Sequence, residues 1–215
     1  MRTPSLISFT LFASFVGASF FDQKVAVTLG VMSRCPDALA CEAVWNDALP
    51  SVKDKADISL TFLATPNASD TDYGVVCKHG PGECGGNIQQ LCIQKHGTFD
   101  QLWQYVQCSN FEGKDQVGLR DVAQRCATTA GFAWEDELAD CVGEDLQGKT
   151  DEGRQLLAES AAASKKLNIV NSCTVLINEK IICVRDGTWK TCEGGHEASD
   201  FIRQVNEEYN RTNDL

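Results

Sequence analysis

The sequence predicts an α/β fold: a strand–helix–strand unit near the start, a disulfide-bonded helical insertion, then a helix, a hairpin and a final helix. Three observations carry this. Residues 24–64 alternate between an apolar strand pattern and a helical one. Residues 77–141 hold six cysteines and almost no strand signal. Residues 173–184 read as two short apolar strands around a turn.

In chain order, the first 18 residues look like a secretory signal peptide. Arg2 supplies the positive start, residues 6–16 an apolar run too short to span a bilayer, and Val16-Gly17-Ala18 a small-residue cleavage point. Residues 19–215 are then the mature domain, with the insertion at about 67–150. Residues 25–32 are β-branched and apolar almost throughout, as in a strand buried on both faces. Pro36 near N1 and Asp37 in the first turn open a helix over 36–49, and Pro50 is expected to stop it. Residues 57–64 form the second strand, which completes a βαβ unit. Short helices are expected over 88–96, 99–108, 118–130 and 134–141. A longer one covers 152–167, with Lys165 and Lys166 complementing the dipole of its last turn. The pair of strands in 173–184 turns near Asn178-Glu179, and an amphipathic helix over 197–209 places Phe201, Ile202 and Val205 on one face. This order is that of a thioredoxin-like core carrying a helical insertion.

Eleven cysteines suit an oxidising compartment, and their odd number leaves at least one thiol unpaired or shared between chains. The net charge of −11 argues against nucleic acid and against docking on anionic lipid. No segment after the leader has the roughly 18 apolar residues of a membrane span. The sequons at Asn67 and Asn210 are candidate glycan sites, in loop-like or terminal surroundings.

The stretch SRCPDALAC, residues 33–41, poses the functional question. Cys35 ends a strand and precedes a helix, where unpaired N–H groups and the positive end of the helix dipole favour a thiolate. A thiol–disulfide site normally has a second cysteine three residues on; here that position is Ala38. Six residues of helix rise about 9 Å, so Cys41 on a regular helix is out of bonding reach of Cys35.

The stretch CKHGPGECGGNIQQLC, residues 77–92, resembles the signature of the gamma-interferon-inducible lysosomal thiol reductase (GILT) family, Cys-Gln-His-Gly-x-x-Glu-Cys-x-x-Asn-x-x-x-x-Cys. Cys77, His79, Gly80, Glu83, Cys84, Asn87 and Cys92 match, and Lys78 replaces the glutamine. Cys108, Cys126 and Cys141 stand where further family cysteines are expected. The resemblance implies a secreted or lysosomal (or vacuolar) thiol reductase that works at acid pH through a Cys-x-x-Cys pair. Its substrates would be proteins containing disulfides, and Cys35 would be the attacking thiolate. The family's cis-proline before the penultimate strand aligns near Cys173, and residues 171–173 contain no proline. That places Cys173 near Cys35 as the preferred partner.

The signature itself reads as structural. Gly80, Gly82, Gly85 and Gly86 permit tight turns, and His79 and Glu83 are expected to hydrogen-bond within the loop rather than act as acid–base groups. A zinc set of Cys77, His79, Cys84 and Cys92 is the weaker reading, because disulfides form first in this compartment. Cys77, Cys84, Cys92, Cys108, Cys126 and Cys141 suffice for three bridges, and Cys183 with Cys192 makes a fourth. Cys35, Cys41 and Cys173 remain, of which two can pair. Two functions stay open. One is a thiol–disulfide oxidoreductase, acting as a monothiol resolved by an external low-molecular-weight thiol or through Cys35 and Cys173. The other is an inactive disulfide-rich binding protein on the same fold. Neither implies a metal or a bound cofactor.

Overall fold

The computed structural model describes residues 22–133 and 138–214; the expected signal peptide lies outside them. The chain runs β1 (Val25–Val31), α1 (Pro36–Val52), β2 (Ala56–Phe62), β3 (Thr65–Pro66), β4 (Val75–Val76), α2 (Pro81–His96), α3 (Phe99–Glu112), α4 (Arg120–Thr129), α5 (Ala139–Val142), α6 (Asp151–Lys166), β5 (Thr174–Ile177), β6 (Lys180–Asp186), β7 (Thr188–Lys190) and α7 (Ala198–Thr212). The main sheet has the order β2-β1-β5-β6-β7, while β3 and β4 form a separate two-stranded ribbon. β1 is parallel to β2, as the βαβ unit requires, and antiparallel to β5. This is the expected α/β architecture: a thioredoxin-like core, with helices α2 to α5 inserted between β4 and α6.

Apolar spacing explains the helix packing. Ala38, Cys41, Trp45, Ala48, Leu49 and Val52 recur on the buried face of α1. Trp45 stacks on Phe201 of α7 with ring centroids 4.9 Å apart. On α6, Ser160 and Ser164 use their hydroxyls on the outer edge of β2. Ser160 Oγ accepts the Phe62 N–H at 2.7 Å, and Ser164 Oγ donates to the Phe62 carbonyl at 2.9 Å. From α2, the Gln94 side chain accepts from Leu60 N–H at 2.7 Å and donates to its carbonyl at 3.1 Å. Side chains thus occupy backbone groups that would otherwise leave an open sheet edge.

Several elements differ from expectation. Pro50 lies inside α1, which continues to Val52. A proline there removes one helical hydrogen bond, and the fully buried Val52 holds the last turn in place. The glycine-rich signature is a helix from Pro81 onward rather than a loop followed by a helix at 88. Only Gly80, its N-cap, uses a positive φ, of 88°. The helix expected over 134–141 begins outside the described residues, and its described part is the short α5. Residues 188–190, outside the expected elements, add a fifth strand to the sheet. Asn210 is exposed but sits within α7, not in a terminal tail. Asn67 is half-buried and accepts the Ser69 N–H in a local turn. The hairpin turn falls at Asn178 and Glu179, both with positive φ, as a two-residue turn between twisted strands needs.

Glu42 is buried on α1, where Asn110 of α3 donates to its Oε2 at 2.6 Å. Burial pushes its pKa up from 4.5 to about 7, with the Asn110 hydrogen bond pulling the other way. Because the folded pKa lies above the unfolded one, the neutral carboxyl's contribution is complete below pH 4.5 and is lost as pH rises through about 7. Denaturant unfolding should therefore show stability falling by up to about 3 kcal/mol across that window. Glu42→Gln should flatten the dependence; an unchanged slope in that variant would assign it to other groups.

Candidate active site

Cys35 occupies the N-cap of α1, with Pro36 as the first helical residue. Proline has no N–H to lose at that position, so the cysteine stands at a sharply defined helix start. Cys35 is the free cysteine; it is 6 % exposed, and its Sγ donates to the Ser172 carbonyl at 3.6 Å.

The turn that delivers Cys35 is tied at four consecutive N–H groups. Met32 donates to Ser172 Oγ (2.9 Å), Ser33 to Asn87 Oδ1 (3.0 Å), Arg34 to Glu83 Oε2 (3.3 Å) and Cys35 to the Met32 carbonyl (2.9 Å). The Arg34 guanidinium donates through Nε to the Val117 carbonyl at 2.7 Å. Glu83 also accepts the His79 N–H at 3.1 Å and pairs with the His79 ring. His79 and Glu83 do hydrogen-bond to one another, but they do so from a helix start that faces Cys35.

Beside Cys35 opens a groove of about 790 Å³. Met32, Leu63, Pro66 and Ile169 line it, along with Val76 (49 % exposed) and Val170 (79 % exposed). Lys78, Lys165, Asp37 and Asp186 add charges of both signs. Asp37 accepts the Gly187 N–H at 3.0 Å and lies 3.3 Å from Arg185 Nε, which ties the first turn of α1 to the β6–β7 turn.

The remaining cysteines correct the expected partner. Cys173 is bonded to Cys41, not to Cys35, with a Cα–Cα distance of 6.2 Å, inside the range a disulfide can span. The helix geometry that keeps Cys41 from Cys35 turns it toward the residue preceding β5. The Ser172–Cys173 peptide bond is cis. The insertion cysteines pair as Cys77–Cys84, Cys92–Cys141 and Cys108–Cys126, and Cys183 pairs with Cys192. The sulfurs that a zinc set would need are therefore engaged. His96, Cys141 and Glu152 also converge, but Cys141 is bonded to Cys92 and Lys95 lies 2.6 Å from Glu152, so they form an ion-paired cluster and not a donor set.

The model of the family described as "Gamma interferon inducible lysosomal thiol reductase (GILT)" matches residues 26–130. Across that span the chain is similar to this family. The match takes in both the Cys35 turn and the signature helix. Among curated proteins, none matches the chain. Solved structures share its fold at low identity. The thiol-disulfide oxidoreductase MdbA of Corynebacterium diphtheriae is 14 % identical with a TM-score of 0.55, over 87 % of this chain and 86 % of that one. BdbD of Bacillus subtilis, in its oxidised form, gives 13 % and 0.53 over 86 % and 87 %. DsbA of Xylella fastidiosa gives 12 % and 0.52 over 89 % and 88 %.

Ser172 escaped the sequence reading altogether, since nothing local marks a serine whose carbonyl and hydroxyl both serve the Cys35 turn. Glu83 and Asn87 were singled out as signature residues, but not as ligands of that turn. Their spacing of four, after Pro81 at a helix start, is the signal that places them on one face.

The disulfide pattern has a direct test. Thiol titration of the denatured, unreduced protein should find one thiol, Cys35; three thiols would contradict the Cys41–Cys173 bond. Replacing both Cys41 and Cys173 by alanine opens a link across 132 residues. It should lower stability by about 4 kcal/mol in urea unfolding.

Proposed function

We propose that this GILT-like protein is a thiol–disulfide exchange enzyme of the secretory pathway, working through Cys35 as a monothiol on disulfide-containing proteins. The observation that carries the proposal is a single unpaired thiol at a helix N-cap, bordering an apolar groove, in a chain whose other ten cysteines are bonded. The Cys35 thiolate attacks one sulfur of the substrate disulfide. An S–S bond forms to Cys35, the substrate S–S bond breaks, and the second substrate sulfur leaves as a thiolate that takes a proton from solvent. An external low-molecular-weight thiol then attacks the mixed disulfide and regenerates the Cys35 thiolate. A second equivalent releases the substrate thiol and leaves the external thiol as its disulfide.

The route through a Cys35–Cys173 bond requires first opening Cys41–Cys173, so the monothiol route is preferred. Two features support the lysosomal or vacuolar end of the pathway over the cell exterior: the family, and the acid-favoured protonation of Glu42. The leader at 1–18 and the glycan sites at Asn67 and Asn210 belong to the same proposal, as does a single domain whose insertion spans about 67–150.

A second reading is favoured by the near-complete burial of Cys35 and by Ala38: the protein binds partners without turning over. The two separate on mixing native protein with insulin and excess small thiol at acid pH. The enzyme forms a Cys35-linked mixed disulfide visible by intact-mass analysis and reduces insulin catalytically. The binding protein leaves Cys35 unmodified. Ala38→Cys, one helical turn from Cys35, should raise insulin reduction about tenfold or more by replacing an encounter with an external thiol by an internal one. No gain in a folded variant would place the defect elsewhere in the site.

A further inference from the structure

The signature segment shares no covalent link with the Cys35 turn, yet two of its buried polar side chains, Glu83 and Asn87, hydrogen-bond to it. We infer that Glu83 and Asn87 are positioning residues for Cys35, and that the glycine-rich start of α2 exists to bring them within reach. This rests on Cys35 being the reacting thiol.

The side chains of Glu83 and Asn87 are wholly buried. A buried carboxylate is costly unless its oxygens are satisfied. Glu83 meets that demand with the His79 main chain, the His79 ring and the Arg34 N–H. Asn87 accepts the Ser33 N–H and directs its amide toward Cys77 Sγ at 3.9 Å, so the Cys77–Cys84 bridge backs it. Ser33 returns a hydrogen bond from Oγ to the Glu83 carbonyl at 3.2 Å.

Space is as restrictive as polarity. A Cβ on Gly82 would stand 2.2 Å from the Arg34 guanidinium, and one on Gly86 would stand 2.7 Å from Ser33 Oγ and 2.8 Å from Val117. Glycine inside a helix costs about 0.5–1 kcal/mol relative to alanine. Here that cost falls on the helix face that meets the turn. At Gly82 the neighbour is the far end of the Arg34 side chain, whereas at Gly86 an alanine methyl would press on Ser33 and Val117 directly.

The chemical consequence concerns direction. Exchange needs the attacking sulfur in line with the substrate S–S bond, whereas alkylation tolerates many approach angles. The Glu83 and Asn87 acceptors fix the main chain immediately before Cys35 and so fix where Sγ points.

The test compares Glu83→Gln, Asn87→Leu and, as control, Gln89→Leu. Gln89 is buried in the same helix but hydrogen-bonds to Leu146, Gly118 and Tyr105 rather than to residues 32–35. For each folded variant, two Cys35 rates are measured, one with an aromatic disulfide such as dithionitrobenzoate and one with iodoacetamide. The ratio of exchange to alkylation should fall about tenfold in the first two variants and hold in the control. Amide hydrogen exchange at Ser33 and Arg34 should accelerate in Asn87→Leu and Glu83→Gln respectively, and not in Gln89→Leu. If either signature variant misfolds, Gly86→Ala takes its place, because its methyl displaces Ser33 while leaving both acceptors present. Wild-type ratios and wild-type amide protection in the signature variants would overturn the inference. A wild-type protein that exchanges with no disulfide would instead defeat the proposed function, while the amide protection still reads the positioning.

Discussion

The bond between Cys41 and Cys173 joins the second turn of α1 to the residue that enters β5, and the surroundings of Cys35 follow from it. With α1 held against that residue, the Ser172 carbonyl falls beside Cys35 Sγ and the Ser172 hydroxyl falls on the Met32 N–H. The Cys173 carbonyl then accepts the Arg185 N–H at 2.8 Å, continuing the link into β6. The same bond removes both other candidates for pairing with Cys35. One covalent link thus fixes the geometry of the site and the number of its thiols.

The insertion and the core are coupled through polar contacts as much as apolar ones. Helix α2 offers Glu83 and Asn87 to the Cys35 turn at its N-terminal end and Gln94 to the β2 edge near its C-terminal end. Each contact satisfies a backbone group that would otherwise be buried without a partner, and such groups are expensive to leave unmade. The disulfides within the insertion add the covalent closure that small helices with limited core cannot supply by packing alone. The insertion therefore supports the Cys35 turn as well as the scaffold.

Charge placement suits acid conditions. Glu42 is buried on the helix that begins with Cys35, and it is accommodated as a neutral carboxyl hydrogen-bonded to Asn110. Ionising it would place a charge between α1 and α3 with only the Asn110 amide, among the described residues, as its hydrogen-bond donor. The α1–α3 packing thus favours the neutral carboxyl of Glu42.

The sequence by itself determined the elements and the chemistry on offer. Apolar runs, Pro36, the last-turn lysines of α6 and the Asn178-Glu179 turn act within a few residues of one another, and their physics is local. The GILT signature was equally legible because its spacing is a property of the chain. Tertiary structure decided which cysteines meet. Cys41 and Cys173 are 132 residues apart in sequence, and their approach depends on how α1 crosses the sheet, which no local pattern encodes. It also decided the role of the signature glycines. Read locally, Gly82, Gly85 and Gly86 mean turns; in the fold they are helical, and Gly82 and Gly86 are small because Arg34 and Ser33 press against them. Backbone freedom and close approach both call for glycine, and only the arrangement of neighbouring elements tells them apart.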